Sequence, residues 1–162
     1  MSKEVQVELG RRYRFAASHR LHSEQLGAEE NRRVYGKCNN PYGHGHNYVV
    51  EIAVSGTVDP STGMIVNLAD LDRFVERHVI EVFDHKSLNE DLEVFRLTVP
   101  TTENVSKEIY RRLAGFPLAK LERVKVEETA NNSFEYAGEE TGLRGPEGGG
   151  AAGDQANRNP AS

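Results

Sequence analysis

His44 and His46 stand two residues apart in the segment Tyr35-Gly36-Lys37-Cys38-Asn39-Asn40-Pro41-Tyr42-Gly43-His44-Gly45-His46, which also holds the only cysteine of the chain. Residues 47–54 after them alternate like a strand. In an extended chain, positions i and i+2 point to the same face, so both imidazoles can converge on one ion. His19 ends an earlier strand-like run and supplies a third. Three neutral imidazoles with an open fourth position describe a catalytic zinc site better than a structural one. A His-x-His pair alone is weak evidence, and Gly43 and Gly45 could simply mark a turn feeding a strand. The combination of His19, the pair and a nearby thiol is what points to a metal.

Other residues carry chemistry of their own. Lys37, Asn39, Asn40 and Pro41 read as an exposed polar turn around Cys38. A thiolate there can be a ligand, a nucleophile or a general base, and a nearby zinc would lower its pKa. Asp84-His85 reads either as a helix C-terminus, where a histidine suits the dipole, or as an aspartate fixing an imidazole for proton transfer. Glu128 falls on a strand face that Val124 and Val126 otherwise make apolar. It either reaches water past the strand end or acts as a binding carboxylate that accepts two parallel N–H bonds from a guanidine-like edge. His22 has no such company, and His78 reads as a core residue.

The elements that must position these groups follow from periodicity. Val5, Val7, Leu9, Arg11, Tyr13, Phe15, Ala17, His19 and Leu21 share one face of an extended run. Residues 22–43 read as a loop. A second strand begins near Gly45, with Tyr48, Val50, Ile52 and Val54 on the face of His44 and His46. Residues 58–63 make a turn. Asn67 is an N-cap with Asp70 in capping-box position, and Leu68, Leu71, Phe74, Val75, His78, Val79 and Val82 follow at helical spacing. Pro100-Thr101-Thr102-Glu103 opens a second helix carried by Val105, Ile109 and Leu113. Strands over 121–128 and 133–136 close the domain. The expectation is an α+β layer, an antiparallel four-stranded sheet with two helices on one face.

Length and composition fit one domain: 162 residues, 37% hydrophobic and 28% charged. Residues 1–137 form the expected domain. Residues 138–162, rich in Gly, read as a disordered tail. No apolar run reaches the roughly 20 residues of a membrane span. The start has no apolar signal region, so export is not expected. One cysteine cannot form an internal disulfide, which fits a reducing cytoplasm. A net charge of −5 argues against nucleic acid as the main partner.

In order along the chain, Phe15-Ala16-Ala17-Ser18-His19-Arg20-Leu21, residues 36–48, Gly63-Met64-Ile65-Val66-Asn67-Leu68, Asp84-His85-Lys86-Ser87-Leu88-Asn89, Thr101-Thr102-Glu103-Asn104-Val105 and Glu128-Thr129-Ala130-Asn131-Asn132 resemble the 6-pyruvoyl tetrahydropterin synthase family. The resemblance covers about residues 5–137. It implies the tunnelling fold, in which small α+β subunits join their sheets into a β-barrel as trimers that stack into hexamers. That assembly would also cover unpaired sheet edges. Ala16, Glu127 and Ala130 depart from the family's common serine, aromatic and aspartate.

Residue by residue, the resemblance implies zinc on His19, His44 and His46. It puts Cys38 at the catalytic thiol, and Asp84 and His85 at the proton-relay pair. Glu128 becomes the pterin anchor, with Thr101, Thr102 and Glu103 near the pterin pocket. The implied reaction takes 7,8-dihydroneopterin triphosphate, with magnesium, to 6-pyruvoyl-tetrahydropterin and triphosphate, using zinc as Lewis acid. A related enzyme, 6-carboxy-tetrahydropterin synthase, shares fold, zinc and substrate but releases acetaldehyde. Its cysteine usually stands four residues before the His-x-His. Here Cys38 precedes His44 by six, which favours the pyruvoyl product. A zinc-stabilised pterin-binding module without turnover is the alternative of another class, and it would need none of Cys38, Asp84 and His85.

Overall fold

Side-chain alternation from Gln6 onward forms β1 (Gln6–His19), which pairs antiparallel along its whole length with β2 (His44–Thr57). The computed structural model describes residues 4–139, so most of the tail expected from residue 138 lies outside the described residues. Between the two strands come α1 (Ala28–Tyr35) and a 3-10 turn over Gly36–Asn39. After β2, α2 (Leu68–Val75) runs through a π-helical turn (Glu76–Ile80) into α3 (Glu81–Phe83). Then follow β3 (Lys86–Ser87), α4 (Leu88–Asp91), α5 (Val94–Leu97), α6 (Thr102–Leu113), β4 (Lys120–Thr129) and β5 (Asn132–Tyr136).

The strand order is β3-β1-β2-β4-β5. One face of the sheet supplies Phe15, Tyr48, Val50, Ile52, Val124 and Val126 to the core. Leu71, Val75, Val79 and Phe83 meet them from the first helical segment, with Val105, Ile109 and Leu113 from α6. Each such fully buried side chain contributes roughly 1.5–3 kcal/mol relative to exposure. The opposite face is charged: Arg12 bonds Glu127 at 3.2 Å, and Arg123 pairs with Glu8 and Glu135. This is the α+β layer that periodicity predicts. Among the described residues, no helix is long and apolar enough to cross a membrane.

Four details differ from the sequence expectation. The sheet has five strands, because the two-residue β3 pairs parallel with Ala17 and Ser18 of β1; so short a strand has no alternation to read. The 22–43 loop contains α1, whose one buried residue is Asn31, so no apolar stripe announces it. The Asn31 amide instead donates to the carbonyls of Ser23, Leu26 and Gly27. The short α4 and α5, also absent from the sequence reading, lie in the stretch before α6. Asn67 caps α2 by accepting from the Ala69 N–H at 2.9 Å, but Asp70 pairs with Arg73 rather than closing a capping box.

The turn after α3 docks on the outer edge of β1. Asp84 Oδ1 accepts the Ala16 N–H at 2.8 Å, and the His85 N–H donates to the Ala16 carbonyl at 2.6 Å. Both polar groups of one edge peptide are thereby satisfied just where β3 begins. Removing the acceptor leaves a part-buried N–H without its bond, which costs about 1–3 kcal/mol. Asp84→Ala should therefore lower the unfolding free energy from urea titration by that much, whereas Asp84→Asn, which keeps an amide oxygen in place, should stay within about 1 kcal/mol of the parent.

Candidate metal centre

The β1–β2 register pairs His19 with His44 and Ala17 with His46. Directly opposed residues share a face, so all three imidazoles emerge on the same side at one end of the sheet. Gly43 makes this approach possible. It sits at φ +69, and a Cβ there would lie 2.8 Å from the His19 carbonyl oxygen. Any other residue would have to push the strand ends apart.

The resulting cluster has metal-ligand geometry. One nitrogen from each of His19, His44 and His46 lies within 4.8 Å of the other two. The rings stand nearly perpendicular, with centroids 4.7–5.0 Å apart. His19 Nε2 and His44 Nε2 are 3.1 Å apart. Tetrahedral zinc with bonds of about 2.0–2.1 Å separates its ligands by about 3.3 Å, a close match. His46 Nε2 is buried and has no hydrogen-bond partner, an orphan that a cation would satisfy.

His19 is prepared for this from behind. Its Nδ1–H faces the Pro100 carbonyl at 2.9 Å, with the Tyr48 hydroxyl at 3.2 Å. Those contacts assign the proton to Nδ1 and leave the Nε2 lone pair pointing into the cluster. Burial, opposed by the Glu128 charge, pushes the His19 imidazole down to about 4. Burial also pushes His46 down. Both imidazoles are thereby kept neutral, the state in which they ligate metal.

Cys38 sits on the 3-10 turn, half-buried rather than on an exposed loop. It lines one open depression with His44 and His46. Burial, and next the Glu128 charge, push its thiol up. The Glu128 carboxylate is turned inward from β4, 3.5 Å from His19 Nε2 and 3.7 Å from His46 Nε2, and is only 15% exposed. That resolves its two sequence readings against the solvent-facing one.

Asp84 Oδ2 lies 3.5 Å from His85 Nε2, and the His85 side chain is 85% exposed. Asp84 thus belongs to the β1 edge as well as to its neighbour. Thr101 caps α6 by accepting the Asn104 N–H at 3.4 Å. Thr102 is buried at 3% exposure, while Glu103 faces solvent. What this segment brings to the cluster is the Pro100 carbonyl. Sequence reasoning missed Pro100 and the support role of Tyr48. The parity of Tyr48 with His46 was a usable signal; a carbonyl 81 residues away had none.

Comparison with known proteins finds relatives over nearly the whole described chain. The family model for 6-pyruvoyl tetrahydropterin synthase matches residues 8–139. A human 6-pyruvoyl tetrahydrobiopterin synthase is 48% identical over 138 residues, covering 85% of this chain and 95% of the human protein. A Drosophila melanogaster protein of the same name is 45% identical, covering 85% of this chain and 83% of its own length. The solved structure of Caenorhabditis elegans 6-pyruvoyl tetrahydropterin synthase superposes with a TM-score of 0.81 at 41% identity, covering 86% of this chain and 100% of that one.

The buried His19 makes the metal-free protein acid-sensitive. Its imidazole titrates near 4 when folded against an ordinary 6.5, so between those values the unfolded chain holds a proton that the folded chain refuses. Stability is therefore lost as pH falls from about 6.5 towards 4, up to an order of 3 kcal/mol. Urea midpoints measured in chelator should be level above pH 7 and fall steadily below it. His19→Ala should shallow that fall without abolishing it, because His46 is pushed down too. A flat wild-type profile from pH 7 to 5 would contradict the burial argument.

Proposed function

The chain belongs to the 6-pyruvoyl tetrahydropterin synthase family, and on that footing we propose that it converts 7,8-dihydroneopterin triphosphate to 6-pyruvoyl-tetrahydropterin and triphosphate. The observation that carries this reading is the meeting of His19, His44, His46, Glu128 and Cys38 at one end of the sheet. The donor set suits zinc, and when bound there zinc supplies Lewis acidity to the oxygens of the substrate side chain.

Substrate and product differ in a way that defines the work required. Triphosphate leaves the third side-chain carbon, and the resulting enol becomes a methyl ketone. The first side-chain carbinol becomes the second ketone as its two hydrogens pass to the C6=N5 bond of the ring. The side chain is oxidised by as much as the ring is reduced, so no redox cofactor is needed. What the chain must do is move protons between carbons.

Cys38 is the proposed base. It lies beside His44 and His46, and a cation held by the neutral imidazoles would act against both influences that raise its thiol. His85 is the proposed group that returns a proton, oriented by the Asp84 carboxylate, and its exposure allows exchange with solvent. Glu128 is the proposed anchor, its carboxylate accepting two N–H bonds from the guanidine-like edge of the pterin. Its position beside His19 and His46 supports a ring held with its side chain near the imidazoles. Thr101, Thr102 and Glu103 are assigned to the rim of the pterin pocket.

Self-association into stacked trimers belongs to the same proposal. Tyr42 and Leu97 are each 97% exposed and Leu118 is 54% exposed, apolar surface that a second copy would cover. Among the described residues β3 and β5 form the two edges of the sheet, where a second copy could add.

Two measurements test the reading. Purified protein given 7,8-dihydroneopterin triphosphate and magnesium should release triphosphate and form 6-pyruvoyl-tetrahydropterin with no redox cofactor added. Acetaldehyde as the main co-product would replace the pyruvoyl assignment with the carboxy one. Separately, the protein should hold one zinc per chain, lost on His44→Ala or His46→Ala but retained in Cys38→Ala, whose turnover should fall at least 100-fold. Loss of zinc from the cysteine variant would make Cys38 a ligand instead of a base.

A further inference from the structure

Next to the candidate metal centre lies a depression of about 430 Å³ whose wall carries Arg20, His22, Arg32 and Lys37 and no carboxylate. It shares Lys37 and Asn40 with the depression over Cys38, His44 and His46. It shares Arg20 and His22 with the larger cavity that His19 lines. Basic residues thus adjoin the imidazole cluster from two sides, with Glu24 and Glu90 also lining the larger cavity, in a chain whose net charge is −5.

Many of the arginines elsewhere on the surface are engaged in ion pairs. Arg12, Arg33, Arg73, Arg111 and Arg123 each hold a carboxylate. Arg20, Arg32 and Lys37 hold none among the described residues. Glu24 lies 3.6 Å from His22 of the wall and is 96% exposed.

Arg20 is the most informative of the three. It is half-buried, and its backbone is clamped by Asn89, which accepts the Arg20 N–H at 2.8 Å and donates to its carbonyl at 2.9 Å. Its Nε donates to the Asn39 carbonyl at 3.3 Å, which commits the stem and leaves the terminal N–H groups uncommitted. Asn39 is itself fixed, buried and donating to the Leu21 carbonyl at 2.8 Å. A half-buried guanidinium without a counter-charge is stabilised when an anion completes it. Arg20 is thus positioned before any ligand arrives, with the exposed Arg32 and Lys37 beside it, so little ordering of Arg20 is lost on binding.

We infer that Arg20, Arg32 and Lys37 form a polyphosphate subsite that seats the three-phosphate leaving group beside the imidazole cluster. The identity of that anion as part of the substrate rests on the function proposed above; the anion site rests on the charges alone. In the elimination, the bond between the third side-chain carbon and the phosphate ester oxygen breaks and its electron pair leaves with the oxygen. The new negative charge then appears against the cationic wall, which lowers the barrier to departure.

Calorimetric titration with inorganic triphosphate, on the full chain at matched zinc content, tests this directly. Saturable one-to-one binding is expected. It should weaken about tenfold or more in Arg32→Glu and again in Lys37→Ala, and stay unchanged in Arg33→Glu, whose native cation already pairs with Glu30. Orthophosphate, which reaches fewer cations, should bind at least tenfold more weakly than triphosphate. The same two variants should raise KM for dihydroneopterin triphosphate and leave the affinity for phosphate-free dihydroneopterin as in the parent. Unchanged triphosphate affinity in both, or equal loss for the phosphate-free pterin, would overturn the subsite. A parent chain that binds triphosphate this way yet fails to turn over the pterin triphosphate would refute the proposed function and leave the subsite standing.

Discussion

The pairing of His19 opposite His44 is the constraint on which everything else rests. A slip of one residue in a strand moves every side chain to the other face. Here it would carry His44 and His46 away from His19 and, in the same movement, turn Tyr48, Val50 and Ile52 out of the core. The burial that stabilises the sheet therefore also enforces the convergence of the imidazoles. Gly43 sets the end of the ladder, since only a residue without a side chain passes the His19 carbonyl so closely.

From that point the site reaches outward through backbone groups. His19 takes its tautomer from the Pro100 carbonyl at the start of α6, so the helix that packs on β4 also orients a ligand on β1. Tyr48 adds its hydroxyl from β2, and burial keeps that hydroxyl protonated. The same desolvation that holds His19 neutral is a cost the fold carries when no cation is present. The neutrality that would suit a metal and the acid sensitivity have one cause.

Asp84-His85 shows a single turn serving two ends. The carboxylate closes the edge of β1 at Ala16 while its other oxygen lies near the neighbouring imidazole. His85 adopts φ 56, a left-handed conformation that a non-glycine residue holds at a cost of order 1–3 kcal/mol. The hydrogen bond from its N–H to the Ala16 carbonyl keeps it there. An uncommon backbone geometry is thus secured by the strand it docks against.

Much of this was legible in the residues. The parities of 5–21 and 44–54 placed three histidines on strand faces, helical spacing located α2 and α6, and Val124, Val126 and Glu128 shared a face as written. These follow from local rules, because period and capping are set by neighbours in the chain. The sequence alone left Cys38, Asp84 and Glu128 each with more than one reading. Only the tertiary structure turned Glu128 towards His19, seated Cys38 beside His44 and tied Asp84 to Ala16. It also produced β3, α1 and the carbonyl behind His19, none of which leaves a periodic trace. The reason is physical: those contacts join residues far apart in the chain through hydrogen bonds to backbone, and a backbone carbonyl looks the same in every residue.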